Sequence, residues 1–298
     1  MELLREMLSP DFLLRDALYT VVVVGLACPL IGVFFILRRL VFLGVALPQI
    51  SSTGVALALS LHVWFGHHDH GHSHGQHDTS TAVAFSGALV FSILTVIVLT
   101  FLERRRKGIA EGWLGTAFVV ATATSLLLIA KCPQAEQGWL DLFRGEVIAI
   151  TQHELLWTGG ILALVLGLLA VFRREFLLVS YDWRLAITQG RSVFGWNLLL
   201  FTLIGLTVAA TVMTVGPLIA FGFLIVPTLI AKVFASTMPR LLVAGSLIGG
   251  TCAFVGFYLA FRWDLPVGPA AVGLLGILFL IAHAGAFIGQ KVFSGSAT

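Results

Sequence analysis

The stretch FTLIGLTVAATVMTVGPLIAFGFLIVPTLIAKVF, Phe201 to Phe234, carries one charged residue, Lys232, close to its far end. A helix needs about 20 apolar residues to cross the hydrocarbon core of a bilayer. This run is too long for one crossing and is interrupted by Gly216 and Pro217. We read it as belonging to two segments, 194–213 and 215–236, divided near Met213 to Pro217. Proline lacks a backbone N–H and clashes with the preceding turn. Pro217 and Pro227, with Gly216 and Gly222, are therefore expected to interrupt or kink helices in the middle of the bundle. Carbonyls freed in this way are tolerated only beside protein or a water-filled path. Pro217 and Pro227 are thus candidates for lining a translocation path, with tight packing as the plainer reading.

Seven further apolar runs lie near 19–37, 43–64, 81–102, 112–130, 154–172, 241–261 and 268–288. The expected fold is all-α: a polytopic membrane protein of about nine helices forming one bundle over residues 1–298. Composition excludes a soluble domain, since 58% of the 298 residues are hydrophobic and only 11% are charged, with a mean hydropathy of +0.99. So little polar surface cannot cover a water-exposed globule. The opening MELLREMLSPDFLLRDALYT scatters charges among apolar residues and has no apolar run with a small-residue cleavage site, so a retained amphipathic segment is expected. Cys28, Cys132 and Cys252 fit no zinc or redox spacing.

Placing segment ends on alternating sides puts thirteen of the 18 Lys and Arg residues on one side. Cytoplasmic loops carry the excess of such residues. The N-terminus is therefore expected outside, the C-terminus inside, and the loop after the second segment outside. All 15 acidic residues fall in loops or segment ends. Intramembrane carboxylates mark proton relays and ion sites, so a carrier coupled to protons or sodium through a buried acid is disfavoured. No GxxxxGK[ST] motif occurs, and the chain has no energy-converting site of its own.

The outward loop GHHDHGHSHGQHD, Gly66 to Asp78, holds six of the nine histidines. His67, His68, Asp69, His70, His72, His74, His77 and Asp78 are candidate metal ligands, because imidazole is the common nitrogen donor to zinc, copper and nickel. Without fixed partners for the rings, binding should be loose, and protonation near pH 5 should release the metal. The plain alternative is a solvated polar linker. His62, His153 and His283 are isolated, and packing or interface roles are expected for them.

The inward loop over 173–193 contains YDWRLAITQG, which reads as a short helix that Asp182 can cap and Gly190 can end. A basic surface turn is the competing reading. The outward loop before the fifth segment contains Trp139 to Ile150, too short to span and too apolar for a free loop, so a short interfacial or re-entrant helix is expected.

YDWRLAITQG, TVGPLIAFGFLIVPTLIAKVFA and RWDLPVGPAAVGLLGILFLIA resemble, in that order, the membrane subunits of bacterial zinc/manganese/iron ABC importers. LRRLVFLGVALPQISSTGVALAL and WLDLFRGEVIAI add to the resemblance, which runs over roughly residues 15–288. It implies a permease in the bacterial inner membrane and pairing with a second permease, as homodimer or heterodimer. It also implies cytoplasmic ATP-binding subunits and an external metal-binding protein. No nucleic-acid partner or covalently bound cofactor is expected; ATP enters only through the partner subunit, and Zn²⁺ heads the expected cargoes, then manganese or iron. The resemblance makes Asp182 to Gly190 a coupling helix, with Asp182, Ala186 and Gly190 on the family pattern. Arg184, Gln189 and Arg191 are added as polar contacts to the ATPase.

The chain also departs from the family pattern. The second segment of these permeases usually begins Gly-Asp-Ala-Leu-Ser-His, and here GVALPQ puts Val45 at the Asp position and Gln49 at the His position. Residues four apart share a helix face, but valine cannot coordinate a metal and glutamine suits zinc poorly. A second permease could supply the ligands. Alternatively, a weaker path could use Gln49, Ser51, Ser52, Thr53 and kink carbonyls, or the cargo could be a metal complex or a non-metal. Ser51, Ser52 and Thr53 could equally bond back to their own backbone. The rival from another class is an ATP-independent metal carrier or exporter.

Overall fold

The computed structural model describes residues 14–65, 76–104, 110–131 and 150–295, and every element among them is helical. In chain order these are α1 (Arg15–Arg38), α2 (Leu43–Phe65), α3 (Gln76–Arg104), α4 (Ala110–Lys131), α5 (Gln152–Val171), α6 (Arg173–Tyr181), α7 (Trp183–Thr188), α8 (Val193–Phe234), α9 (Met238–Trp263) and α10 (Val267–Gly295). Seven of the described helices are long and apolar enough to cross a membrane when α8 counts once. In α4 the apolar stretch is the shorter Gly112–Leu128. The expected nine segments thus reduce by this measure to seven, through α4 and the joining of 194–213 with 215–236.

The 42 residues of α8 would measure about 63 Å if straight. They are not straight. Arg38 at the end of α1 bonds to Asn197, near the start of α8. Its neighbour Arg39 lines the same cleft as Lys232, near the end of α8. Both ends of α8 therefore lie at one end of α1, and the chain folds back at Gly216, whose φ of 83° and ψ of 164° are non-helical. That backbone region is open essentially to glycine alone and costs another residue about 1–3 kcal/mol. Gly216→Ala should accordingly lower stability by about that amount. Thermal unfolding of the detergent-solubilised protein measures it, and an unchanged midpoint would contradict the strain.

The core is built from α1, α2 and the two limbs of α8, with α9 against α1, α3 and α4 against α2, and α10 against α8 and α9. Close backbone approach makes the α1 seams possible. Pro29 leaves the Gly25 carbonyl without its helical donor, and that oxygen faces Gly249 so closely that a Cβ there would strike it. Such Cα–H···O contacts recur where helices meet. Two turns further along α1, a Cβ on Gly32 would strike the Leu224 carbonyl oxygen. Thr228 Oγ1 donates to the Pro29 carbonyl at 3.0 Å, and Ser246 Oγ donates to the Leu26 carbonyl at 2.7 Å. In lipid, where no hydrophobic force separates helix from solvent, small residues and interhelical hydrogen bonds supply the association energy. Leu94, Leu126, Leu164 and Leu280 remain exposed on the outer faces.

One end of the bundle collects the described cations Arg38, Arg39, Arg173, Arg174, Arg184, Arg191, Lys232 and Arg240, while Arg15, Lys131 and Arg262 lie at helix termini of the opposite end.

Candidate functional site

At the basic end, α6 and α7 form a bracket beneath the bundle. Phe176 of α6 is fully buried and meets Phe34 of α1 edge-on at 6.3 Å and Trp196 of α8 at 5.6 Å between ring centroids. Phe172 stands 5.3 Å from the same Trp196. Such offset aromatic contacts hold an amphipathic helix at a defined angle. At Asp182 the backbone leaves the helix, and its Oδ1 accepts from the N–H groups of Arg184 at 3.0 Å and Leu185 at 3.1 Å. This satisfies two of the donors that a helix start leaves open. Gly190, with a φ of 71°, ends the turn after α7, and Arg191 returns to Glu175 with an ion pair of 3.3 Å.

The cap and the stop are where the sequence put them. Ala186 is fully buried and faces the protein. The outward apolar groups are Leu185 and Ile187, exposed to 46% and 55%. Sequence reasoning passed over both; their only signal was two apolar residues flanking a small one in a polar loop. Arg184, Gln189, Gly190 and Arg191 are exposed beside them.

At the same end of α1, a cleft of about 880 Å³ lies between the end of α1, the start of α2, α4, the second limb of α8 and α10. Its walls are apolar, with Val45, Phe42, Phe221, Ile225, Leu229 and Phe279 prominent. Among the described residues its charged lining is Arg39 and Lys232, with no carboxylate. Of the residues expected along a path, Val45 borders this cleft. Gln49, one turn deeper and 8% exposed, does not.

Ser51, Ser52 and Thr53 do not line the cleft either. Ser51 Oγ donates to the Ala88 carbonyl at 3.4 Å. Thr53 Oγ1 lies 3.0 Å from the Ala121 carbonyl and 2.8 Å from Ser125 Oγ, tying α2 to α4. Its 2.9 Å contact with the Gln49 carbonyl is the backbone bond the sequence allowed. Ser52 Oγ is buried with no hydrogen-bond partner among the described residues. Pro217 follows the fold-back, and Pro227 sits between the cleft residues Val226 and Leu229 without lining it.

His67, His68, Asp69, His70, His72 and His74 lie outside the described residues, as does Trp139 to Glu146 and on to Ala149. The backbone of His77 and Asp78 opens α3. Among the described residues no group of three His, Cys, Asp or Glu could hold a metal. His153 accepts at Nε2 from Trp157 Nε1 at 3.0 Å, and Thr151 and Glu154 cap α5 reciprocally.

The chain matches the model of the ABC 3 transport family over residues 11–286. It is 25% identical to the manganese import system permease protein ScaB of Streptococcus gordonii, over 93% of this chain and 92% of that one. It is 27% identical to the manganese transport system membrane protein MntC of Listeria innocua, over 90% and 89%. Among solved structures, PsaBC from Streptococcus pneumoniae in complex with Fab shares the fold, with a TM-score of 0.76, 24% identity and 94% of each chain covered. The matched residues run from before α1 into the last turns of α10, so the whole bundle, and no single segment, carries the membership: the chain belongs to the ABC 3 transport family.

Proposed function

We propose that this chain is the permease subunit of an ATP-driven importer of a divalent transition metal, manganese first, with iron and zinc as the other candidates. The order departs from the zinc expected on sequence because the relatives described above carry manganese in their names. The observation that carries the reading is the capped α7, presenting Leu185 and Ile187 outward at the basic end of a bundle from this family. An apolar pair on a short, rigidly capped helix suits a groove in a cytoplasmic ATP-binding subunit. That orientation puts the basic end in the cytoplasm, as the excess of Arg and Lys requires, and the N-terminus and histidine loop outside an inner membrane. An external metal-binding protein would deliver cargo there, and the loop's imidazoles would collect it. A second permease would close the open side of the cleft, and ATP binding would rearrange the pair.

Reconstitution in vesicles with the ATP-binding subunits and the binding protein tests this directly. Mn²⁺ should stimulate ATP hydrolysis and enter the vesicles; no response to any divalent ion would sink the reading. In the same assay, deletion of Gly66–Asp78 should lower uptake at scarce metal and leave it intact at abundant metal. Loss at both would make the loop part of the path.

One observation favours a second reading. Among the described residues the cleft beside Val45 carries Arg39 and Lys232 and no carboxylate, a poor lining for a bare divalent cation. A metal complex with negative charge would suit it better, and stimulation by a chelated metal in place of the free ion would select that cargo.

A further inference from the structure

We propose that Arg38 is the positioning residue that transmits movement of the α6–α7 bracket to the cleft. The inference rests on the reading of α7 as the ATPase-facing helix. Arg38 is the last residue of α1. Its Nε donates to Ser180 Oγ at 3.1 Å, and one terminal nitrogen donates to Asn197 Oδ1 at 2.7 Å. Its guanidinium carbon stands 4.9 Å from the centroid of the Phe201 ring. One planar group thus joins α1, α6 and the first limb of α8. Ser180 stands two residues before Asp182, the cap of α7, so a shift of α7 reaches Arg38 across two residues of chain.

On its other side Arg38 is bonded to Arg39, which has a left-handed φ of 58° and lines the cleft. Leu40 N donates back to the Phe35 carbonyl at 2.9 Å, and Leu43 N to the Leu40 carbonyl at 3.0 Å, closing a tight turn that leads into Val45. The path from α7 to the cleft therefore has no slack loop in it. The aromatic contacts of Phe34, Phe176 and Trp196 hold the same elements without a directional hydrogen bond between them. A guanidinium has rigid, directional donors and changes partners only in discrete steps. Two discrete arrangements are what coupling between sites requires.

The test uses the assembled permease with its ATP-binding subunits in vesicles and reads metal moved per ATP hydrolysed. Arg38→Gln should leave hydrolysis within about twofold of native while the ratio falls about tenfold, the scale of a typical coupling between sites. Arg38→Lys, a point charge that cannot serve both oxygens in the fork geometry, should fall between the two. Asn197→Ala, which leaves the Ser180 and Phe201 contacts in place, should lower the same ratio severalfold, and it decides the matter if the Arg38 variants do not assemble. A merely structural role would reduce the amount of active complex, so uptake and hydrolysis would fall together and the ratio would hold; that result overturns the proposal. Failure of the native chain to recruit any ATP-binding subunit would remove the α7 reading and this proposal with it. Recruitment with an unchanged ratio would remove this proposal alone.

Discussion

Replacing Leu185 and Ile187 together by aspartate is expected to release the ATP-binding subunits from the chain. Both side chains are about half exposed on a six-residue helix that is capped at one end and stopped at the other. Their orientation is therefore set before any partner arrives, and a preorganised anchor gives up little freedom on binding. A buried apolar anchor is worth at least about 2 kcal/mol at an interface, so the pair together accounts for about 4 kcal/mol, or roughly a thousandfold in affinity. Burying two carboxylates without partners adds to the loss. Co-purification of the ATP-binding subunit with the tagged permease measures it. The permease's own melting midpoint should not move, because neither side chain contributes to the core. Retention of the ATPase at native stoichiometry would rule out α7 as the docking element.

The second large effect is expected from Gly32→Leu. A Cβ at this position falls on the Leu224 carbonyl oxygen and comes within 3.0 Å of Thr228 Oγ1. The obstacle is backbone, which cannot swing away as a side chain can. The seam between α1 and the second limb of α8 must open, breaking the Thr228 to Pro29 hydrogen bond. Overpacking of a tight interior costs about 1–3 kcal/mol even where neighbours can shift, and here they cannot. The variant should fail to accumulate as folded, detergent-soluble protein, and Gly32→Ala should melt clearly below native. Gly159 provides the contrast: it lies inside α5 with nothing within 4 Å of a built Cβ. Gly159→Ala should therefore stabilise by about 0.5–1 kcal/mol through helix propensity alone. If both alanine variants moved the midpoint the same way, the close approach of α1 to α8 would not be what holds this seam.

Much of the architecture was legible before any coordinates. The apolar runs located the helices because a segment in lipid must satisfy its own backbone hydrogen bonds. Asp182 and Gly190 marked the limits of α7 because capping and left-handed backbone are local energetics. The division of Arg and Lys residues between segment ends reappears as the basic end of the bundle.

What could not be read was which way each residue faces. In a soluble protein the apolar stripe identifies the buried face of a helix. In lipid both faces are apolar, so Val45 and Leu47 cannot be sorted by hydropathy. The hydroxyls of Ser51 and Thr53 looked like a polar path for the same reason; the structure spends them on Ala88, Ala121 and Ser125 in neighbouring helices.

Sequence by itself determined the class of the protein, the places where its helices begin and stop, and the sorting of its charges, because each of these is decided within a few residues or by the bilayer. Tertiary structure alone decided that both limbs of α8 pack against α1, that Val45 borders a cleft while Thr53 does not, and that Arg38 meets Ser180 and Asn197. Those last contacts join residues 142 and 159 positions apart. No local pattern specifies them, because they depend on how closely glycine backbones let the helices approach.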